Sequence, residues 1–153
     1  MKIVSTLIEA HIIRFKNDEI EFLLLKRAGN EKYPNIWQMI TGTIDENEKA
    51  FETALREIKE ETSLNPKRMW IVPNINSFYS YESNEICFVP VFVFQVDSND
   101  EVKISSEHSE FKWLKKEEAK KLLAWPGQRK SVEIIQDYFS HKDDNLKFVE
   151  IEL

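Results

Sequence analysis

The sequence predicts an α+β protein built on a mixed β-sheet. Strand-like apolar runs fall in both halves of the chain, and helical periodicities lie between and after them. The two types do not alternate in the regular strand–helix–strand rhythm of a doubly wound parallel sheet. No internal repeat, low-complexity segment or linker interrupts the 153 residues, so one domain over 1–153 is expected.

Taken in order, residues 3–15 are rich in Ile, Val and Leu with rough alternation and predict a strand. "IEFLLLK", 20–26, predicts a second, with a turn at "KND". A short strand over 36–41 leads to Gly42, and a helix follows over 47–62 with Pro66 just past its end. "WIVPNINSFYSY" and "EICFVPVFVFQVD" predict a pair of strands. The second is nearly all apolar, as for burial on both faces, and Pro90 inside it predicts a bulge or an edge. A short strand "FKWL", helices over "KKEEAKKLLAW" and "GQRKSVEIIQDYF", and an alternating tail "NLKFVEIEL" that adds an edge strand complete the list. Only three glycines occur, at 29, 42 and 127, and each borders one of these elements.

Composition narrows function. A net charge of −6 argues against a basic face for long nucleic acid, although a bound cation reverses the local sign for a nucleotide. The single cysteine, Cys87, lies in an apolar run and is expected to be a buried, inert thiol. No run reaches membrane-spanning length and the start lacks the pattern of a secretory signal, so a cytoplasmic location is expected.

The chemistry concentrates in "GTIDENEKAFETALREIKEETSL", residues 42–64. On a helical wheel Phe51, Ala54, Leu55 and Ile58 form an apolar stripe. Glu57 and Glu61 sit one turn apart at its border, with Glu60 beside them. Arg56 stands four residues from both Glu52 and Glu60, which are ordinary helix pairs, whereas Thr53, Ala54, Leu64 and Asn65 around Glu57 and Glu61 offer no base. Three carboxylates converging from one helix face suit a hard divalent cation. Spacing alone leaves a solvated acidic face equally open.

The full spacing is Gly42, five residues, Glu48, seven residues, then Arg56-Glu57-Ile58-Lys59-Glu60-Glu61-Thr62-Ser63-Leu64. It closely resembles the Nudix box and matches it at every charged position; Ser63 stands where the box has a glycine. The resemblance implies a Nudix fold, a mixed β-sheet sandwiched between α-helices, and a hydrolase of phosphoric anhydride bonds. It implies Mg²⁺, with Mn²⁺ as the alternative, on Glu57, Glu60 and Glu61 with the carbonyl of Gly42. It also implies that Glu48 and Arg56 pair to brace the loop against the helix, and that Glu57 or Glu61 serves as the base. At the helix end, a left-handed Ser63 or a different exit turn is expected.

The flanks "NIWQMITGTIDENE" and "SSEHSEFKWLKKEEAKKLLAWPGQRKSVEIIQDYF" resemble the bacterial dihydroneopterin triphosphate pyrophosphatase branch, also labelled dATP pyrophosphohydrolase. This implies a small-molecule substrate: a nucleoside or pterin triphosphate cut to the monophosphate and pyrophosphate. Carried over by position, Glu107 joins the metal set and Arg27 contacts substrate; His108 is expected to be a structural loop histidine, because a metal mechanism needs no imidazole. Thr41, before Gly42, is a further candidate for substrate, as is Arg129 at the start of a helix, where anions are favoured. Trp37 and Trp113 are expected in the core. Alternative activities are removal of non-standard (d)NTPs, hydrolysis of nucleoside diphosphate sugars or dinucleotides, and nucleotide sensing without catalysis.

Overall fold

The computed structural model describes residues 1–141 and 144–153. The first predicted strand is two, β1 (Lys2–Val4) and β2 (Leu7–Lys16). Both run parallel along the same neighbour, but from the Val4–Cys87 pair to the Glu9–Val91 pair the first chain advances five residues and its partner four. The extra residue breaks the run at Ser5–Thr6. A tight turn with left-handed Asn17 and Asp18 leads into β3 (Glu19–Arg27); two positive φ values suit the twist of a two-residue hairpin.

β2 and β3 pair only near that turn, from Ile13–Phe22 to Lys16–Glu19, and then splay. The predicted 36–41 strand fills the wedge in two pieces. β4 (Trp37–Gln38) pairs with β3, and β5 (Ile40–Thr43) crosses to pair with β2. α1 (Ala50–Thr62) starts three residues later than expected. The carboxylate of Glu52 accepts the Lys49 N–H at its start, and Glu48 stays in the preceding loop.

β6 (Arg68–Ser80) and β7 (Glu85–Gln95) form the expected antiparallel pair. The bulge lies in β6, at Pro73–Asn74, opposite Pro90 rather than on it. Pro90 falls between the stretches of β7 that pair with β1 and β2, so its missing N–H interrupts neither of those two pairings. β8 (His108–Leu114) is longer than "FKWL" and borders β3. α2 (Lys116–Leu122) is shorter than expected, and α3 (Pro126–Ser140) matches closely. Of the tail, only β9 (Glu150–Ile151) pairs, with β6, after a 3₁₀ turn over Asp144–Phe148.

The sheet order β4-β3-β2-β7-β6-β9 is mixed, with β1, β5 and β8 attached to β7, β2 and β3. Strand alternation divides the apolar residues between two cores. Ile8, Ala10, Ile12, Leu25, Ile40 and Phe94 pack under Ala54 and Ile58 of α1. Ile13, Leu24, Met39, Trp70, Val91 and Val93 pack under Ala119, Val132 and Ile135 of α2 and α3. This is the expected sandwich. Trp37 and Trp113 border these cores, one on each face, and Cys87 is buried and free.

Candidate active site

The α1 face of β5 carries Gly42, opposite Ile8 of β2. A Cβ at Gly42 would stand 2.4 Å from Cγ and 2.9 Å from Oε1 of Glu57. Glycine here is what lets the helix carboxylate lie on the strand. Arg56 gathers the acidic groups around it. Its Nε and Nη2 each donate to one oxygen of Glu48 at 2.9 Å, a two-pronged bridge. Nη2 also donates to the Thr43 carbonyl, and Nη1 to Glu57 Oε1 at 3.0 Å. Glu60 lies 3.5 Å away. Thr53 Oγ1 adds a 2.6 Å bond to Glu48, whose carboxyl is held low, at about 2, chiefly by the Arg56 hydrogen bonds.

The Glu48–Arg56 brace is present as expected. The pairing of Glu52 with Arg56 is not: Glu52 caps the helix start. Nor is Glu57 without a base, since Arg56, its chain neighbour, turns back to it across a spacing that helix-face arguments do not consider.

Glu61 is 5% exposed, and its Oε2 has no hydrogen-bond partner. Burial, followed by the charges of Glu57 and Glu107, pushes its carboxyl up to about 9. Glu57 is raised too, by burial first, against the opposing pull of Arg56. The loop before β8 brings Glu107 here. Lys103 and Ser105 donate their N–H groups to the carbonyls of Thr62 and Glu61 at the end of α1, and Ala28 donates to the Glu107 carbonyl. Among the described residues, no three His, Cys, Asp or Glu side chains already stand in a metal-ligating arrangement; Arg56 holds Glu57 and Glu60 on its guanidinium. An orphaned carboxylate oxygen among mutually repelling carboxylates is nevertheless the kind of donor set a hard divalent cation takes.

The other sequence-chosen residues scatter. Arg27 is cross-strand from His108, but its Nε donates to the Lys32 carbonyl at 2.5 Å and its guanidinium faces Glu31, so it ties down the 28–35 loop. His108 opens β8 rather than lying in a loop; burial lowers it to about 4. Arg129 donates to the carbonyls of Leu123 and Ala124 on the opposite face of the sheet from α1. Thr41 also points to that opposite face, cross-strand from Glu9.

Glu9 leads to a polar set that sequence reasoning missed. Glu9 and His11 alternate with Ile8, Ala10 and Ile12 on a strand covered by helices on both sides, and both are buried. Asn76 Nδ2 donates to Glu9 Oε2 at 2.5 Å. Asn74 Nδ2 reaches Asn76 Oδ1, the Gly127 carbonyl and Ser131 Oγ. Burial pushes Glu9 up to about 7, against hydrogen bonds from Asn76 and Gln128, and lowers His11 to about 3. A signal was available: a doubly covered central strand should be apolar throughout, and "IEAHII" is not.

The NUDIX domain pattern matches residues 7–135 of the chain. A mouse (Mus musculus) asymmetrical bis(5'-nucleosyl)-tetraphosphatase is 32% identical over 112 residues, covering 71% of this chain and 74% of the mouse protein. A dihydroneopterin triphosphate diphosphatase of Haemophilus influenzae is 27% identical over 143 residues, 83% of this chain and 84% of that one. In fold, the chain superposes on a C. elegans Ap4A hydrolase from a binary complex with a TM-score of 0.75 at 23% identity, covering 90% of this chain and 98% of that one. The two sequence relatives differ in the substrates their names give. No helix among the described residues is long and apolar enough to cross a membrane.

Proposed function

The chain belongs to the NUDIX domain family, and on that premise we propose that it is a divalent-cation-dependent pyrophosphohydrolase of a nucleoside or pterin triphosphate, releasing the monophosphate and pyrophosphate. The observation that carries this reading is the meeting of Glu57, Glu61 and Glu107 beside Gly42, with one Glu61 oxygen left without a partner.

In this reading Glu57, Glu60, Glu61 and Glu107, with the Gly42 carbonyl, would hold Mg²⁺ or Mn²⁺. When bound, the cation neutralises anhydride oxygens and makes a bound water more acidic. The chain's own residues do the rest. Glu48 and Arg56 fix the loop against α1, so that the strand carbonyl and the helix carboxylates keep one geometry. Arg56 also pulls Glu57 back toward its ionised form, against the larger effect of burial. Glu57 or Glu61 takes the proton of the attacking water. A second reading, hydrolysis of a dinucleoside polyphosphate, is favoured by the 32% identity to the mouse tetraphosphatase.

A substrate panel with Mg²⁺ tests both. It contains dihydroneopterin triphosphate, the common dNTPs, 8-oxo-dGTP, diadenosine tetraphosphate and ADP-ribose, with pyrophosphate and phosphate assayed separately. Pyrophosphate from triphosphates is the expected result. Turnover of diadenosine tetraphosphate alone selects the second reading, and turnover of ADP-ribose alone overturns both.

A further inference from the structure

The polar set beneath α3 lies in a core layer that is otherwise apolar. Glu9 sits between Thr41 on β5 and Val91 on β7, and Val91 pairs onward with Val72 on β6. The first turn of α3 covers the row. Gly127 makes this possible: a Cβ there would meet Asn76 Oδ1 at 2.2 Å. The amides are held in a fixed sense. Asn74 donates to Asn76 Oδ1, so the Asn76 oxygen is taken and its N–H points at Glu9.

This arrangement leaves capacity unused. A carboxylate accepts about four hydrogen bonds, and the side chains of Asn76 and Gln128 supply two to Glu9. Gln128 Oε1 and both ring nitrogens of His11 are buried without a partner. Unmet polar groups in a core are costly unless something else meets them. Glu9 and His11 are both buried, Glu9 with 8% of its surface exposed and His11 with 1%, so the access that remains is at the Glu9 end of the set. That end adjoins the acidic site: Thr41 precedes Gly42 on β5, and the β2 residue beside Glu9, Ile8, pairs with Gly42. Among the described residues, β5 pairs with β2 alone. Adjacent residues of β5 face opposite ways, Gly42 toward the acidic site and Thr41 toward Glu9. Phe78, two residues beyond Asn76 on the same face of β6, is half exposed and offers an apolar wall.

We propose that Glu9, Thr41, Asn76 and Gln128 form the pocket for the heterocycle of the substrate, with Glu9 accepting from a ring N–H and the exocyclic amino group beside it. That donor–donor edge is the 2-amino-4-oxopyrimidine edge shared by guanine and pterin. Adenine and cytosine present an acceptor beside the amino group and would set a lone pair against the carboxylate. Gln128 Oε1, on α3, provides a further acceptor beside Glu9. The proposal rests on the hydrolase reading for the position of the phosphates, while base preference is measured without turnover.

The test is equilibrium binding of GMP, neopterin, AMP and CMP to the full chain by titration calorimetry, for wild type and Glu9→Gln. The wild type is expected to bind GMP or neopterin at least about tenfold tighter than AMP and CMP, and the stronger of the two distinguishes a purine from a pterin. Glu9→Gln is expected to lower that preferred affinity to the AMP level while AMP changes less than about threefold. Equal affinities, an inverted ranking, or a ranking kept in folded Glu9→Gln would overturn the proposal. Should Glu9→Gln fail to fold, the wild-type ranking still decides. Polyphosphate turnover without the ranking defeats the pocket and leaves the hydrolase; the ranking with no turnover does the reverse.

Discussion

The two faces of the sheet each hold a carboxyl group well above its ordinary range, and they do so with different materials. On the α1 face Glu61 is pushed to about 9 by burial and by the neighbouring charges of Glu57 and Glu107. On the α3 face Glu9 is pushed to about 7 by burial alone, while neutral amides pull the other way. Like charges crowded together are relieved by a cation. A buried carboxylate among amide donors is relieved by more donors, which need carry no charge. The same residue type therefore serves charge capture on one side and recognition of a neutral edge on the other.

Substitution on the α1 face breaks this contrast most directly. Glu57→Gln or Glu61→Gln is expected to lower kcat/KM by about 10³-fold, roughly 4 kcal/mol, in a Mg²⁺-supported assay. A loss below tenfold in both would remove them from the machinery. Stability should move the other way for Glu61. Its folded pKa lies above the unfolded value, so stability is lost as pH rises from 4.5 through about 9. Metal-free Glu61→Gln should then unfold at higher temperature than wild type at pH 8 and equally near pH 4. Arg56→Lys comes next: lysine cannot bridge both Glu48 oxygens, and kcat/KM is expected to fall about 10–100-fold.

The α1 face was legible because its chemistry lies in one segment. Fixed spacing on a helix reports which carboxylates share a face, and Gly42 and Glu48 are a few residues away. What spacing could not report is that Arg56 turns to its own neighbour Glu57, or that Glu52 caps the helix. Both are choices of rotamer, set by the 43–48 loop. Arg129 and Arg27 look free in sequence, but nearby carbonyls take them up. The α3 face was illegible for a different reason. Glu9, Thr41, Asn76 and Gln128 come from four elements, and only the fold gathers them: register sets Thr41 beside Glu9, and Asn76 and Gln128 reach Glu9 from β6 and α3. Most of the fold followed from periodicity; the splayed β2–β3 wedge and the slip at Ser5–Thr6 depend on pairings between distant strands.

Acid and alkali sharpen the comparison on the α3 face. His11 has a depressed folded pKa of about 3, so its contribution is present above pH 6.5 and lost as pH falls. Glu9 has a raised folded pKa of about 7, so its contribution is present below pH 4.5 and lost as pH rises. Between pH 4.5 and 6.5 the two slopes oppose each other, and wild-type stability should be nearly flat from this pair. His11→Leu should unmask a loss toward neutral pH, and Glu9→Gln a loss toward acid, each on the order of 2 kcal/mol across the window. Denaturant unfolding at several pH values measures it. Parallel curves for wild type and both variants would mean that neither group is held as its burial requires.

The smallest effect concerns the turn that ends α1. Ser63 adopts φ 61°, ψ 10°, the left-handed conformation, and its N–H closes on the Lys59 carbonyl. A Cβ in that region costs roughly 1 kcal/mol, and glycine removes it while giving back a little through a freer unfolded chain. Ser63→Gly is therefore expected to stabilise by about 0.5–1 kcal/mol, a rise in Tm of about 1–4 °C, and Ser63→Ala, which keeps the Cβ, should not. The turn also bears on the site, because the Glu61 and Thr62 carbonyls just before it receive Ser105 and Lys103 and so carry Glu107. If serine and glycine make the same turn, those bonds stay and turnover should remain within about twofold. A stabilised Ser63→Gly protein with turnover reduced tenfold would show instead that the strained exit itself sets the distance from Glu61 to Glu107.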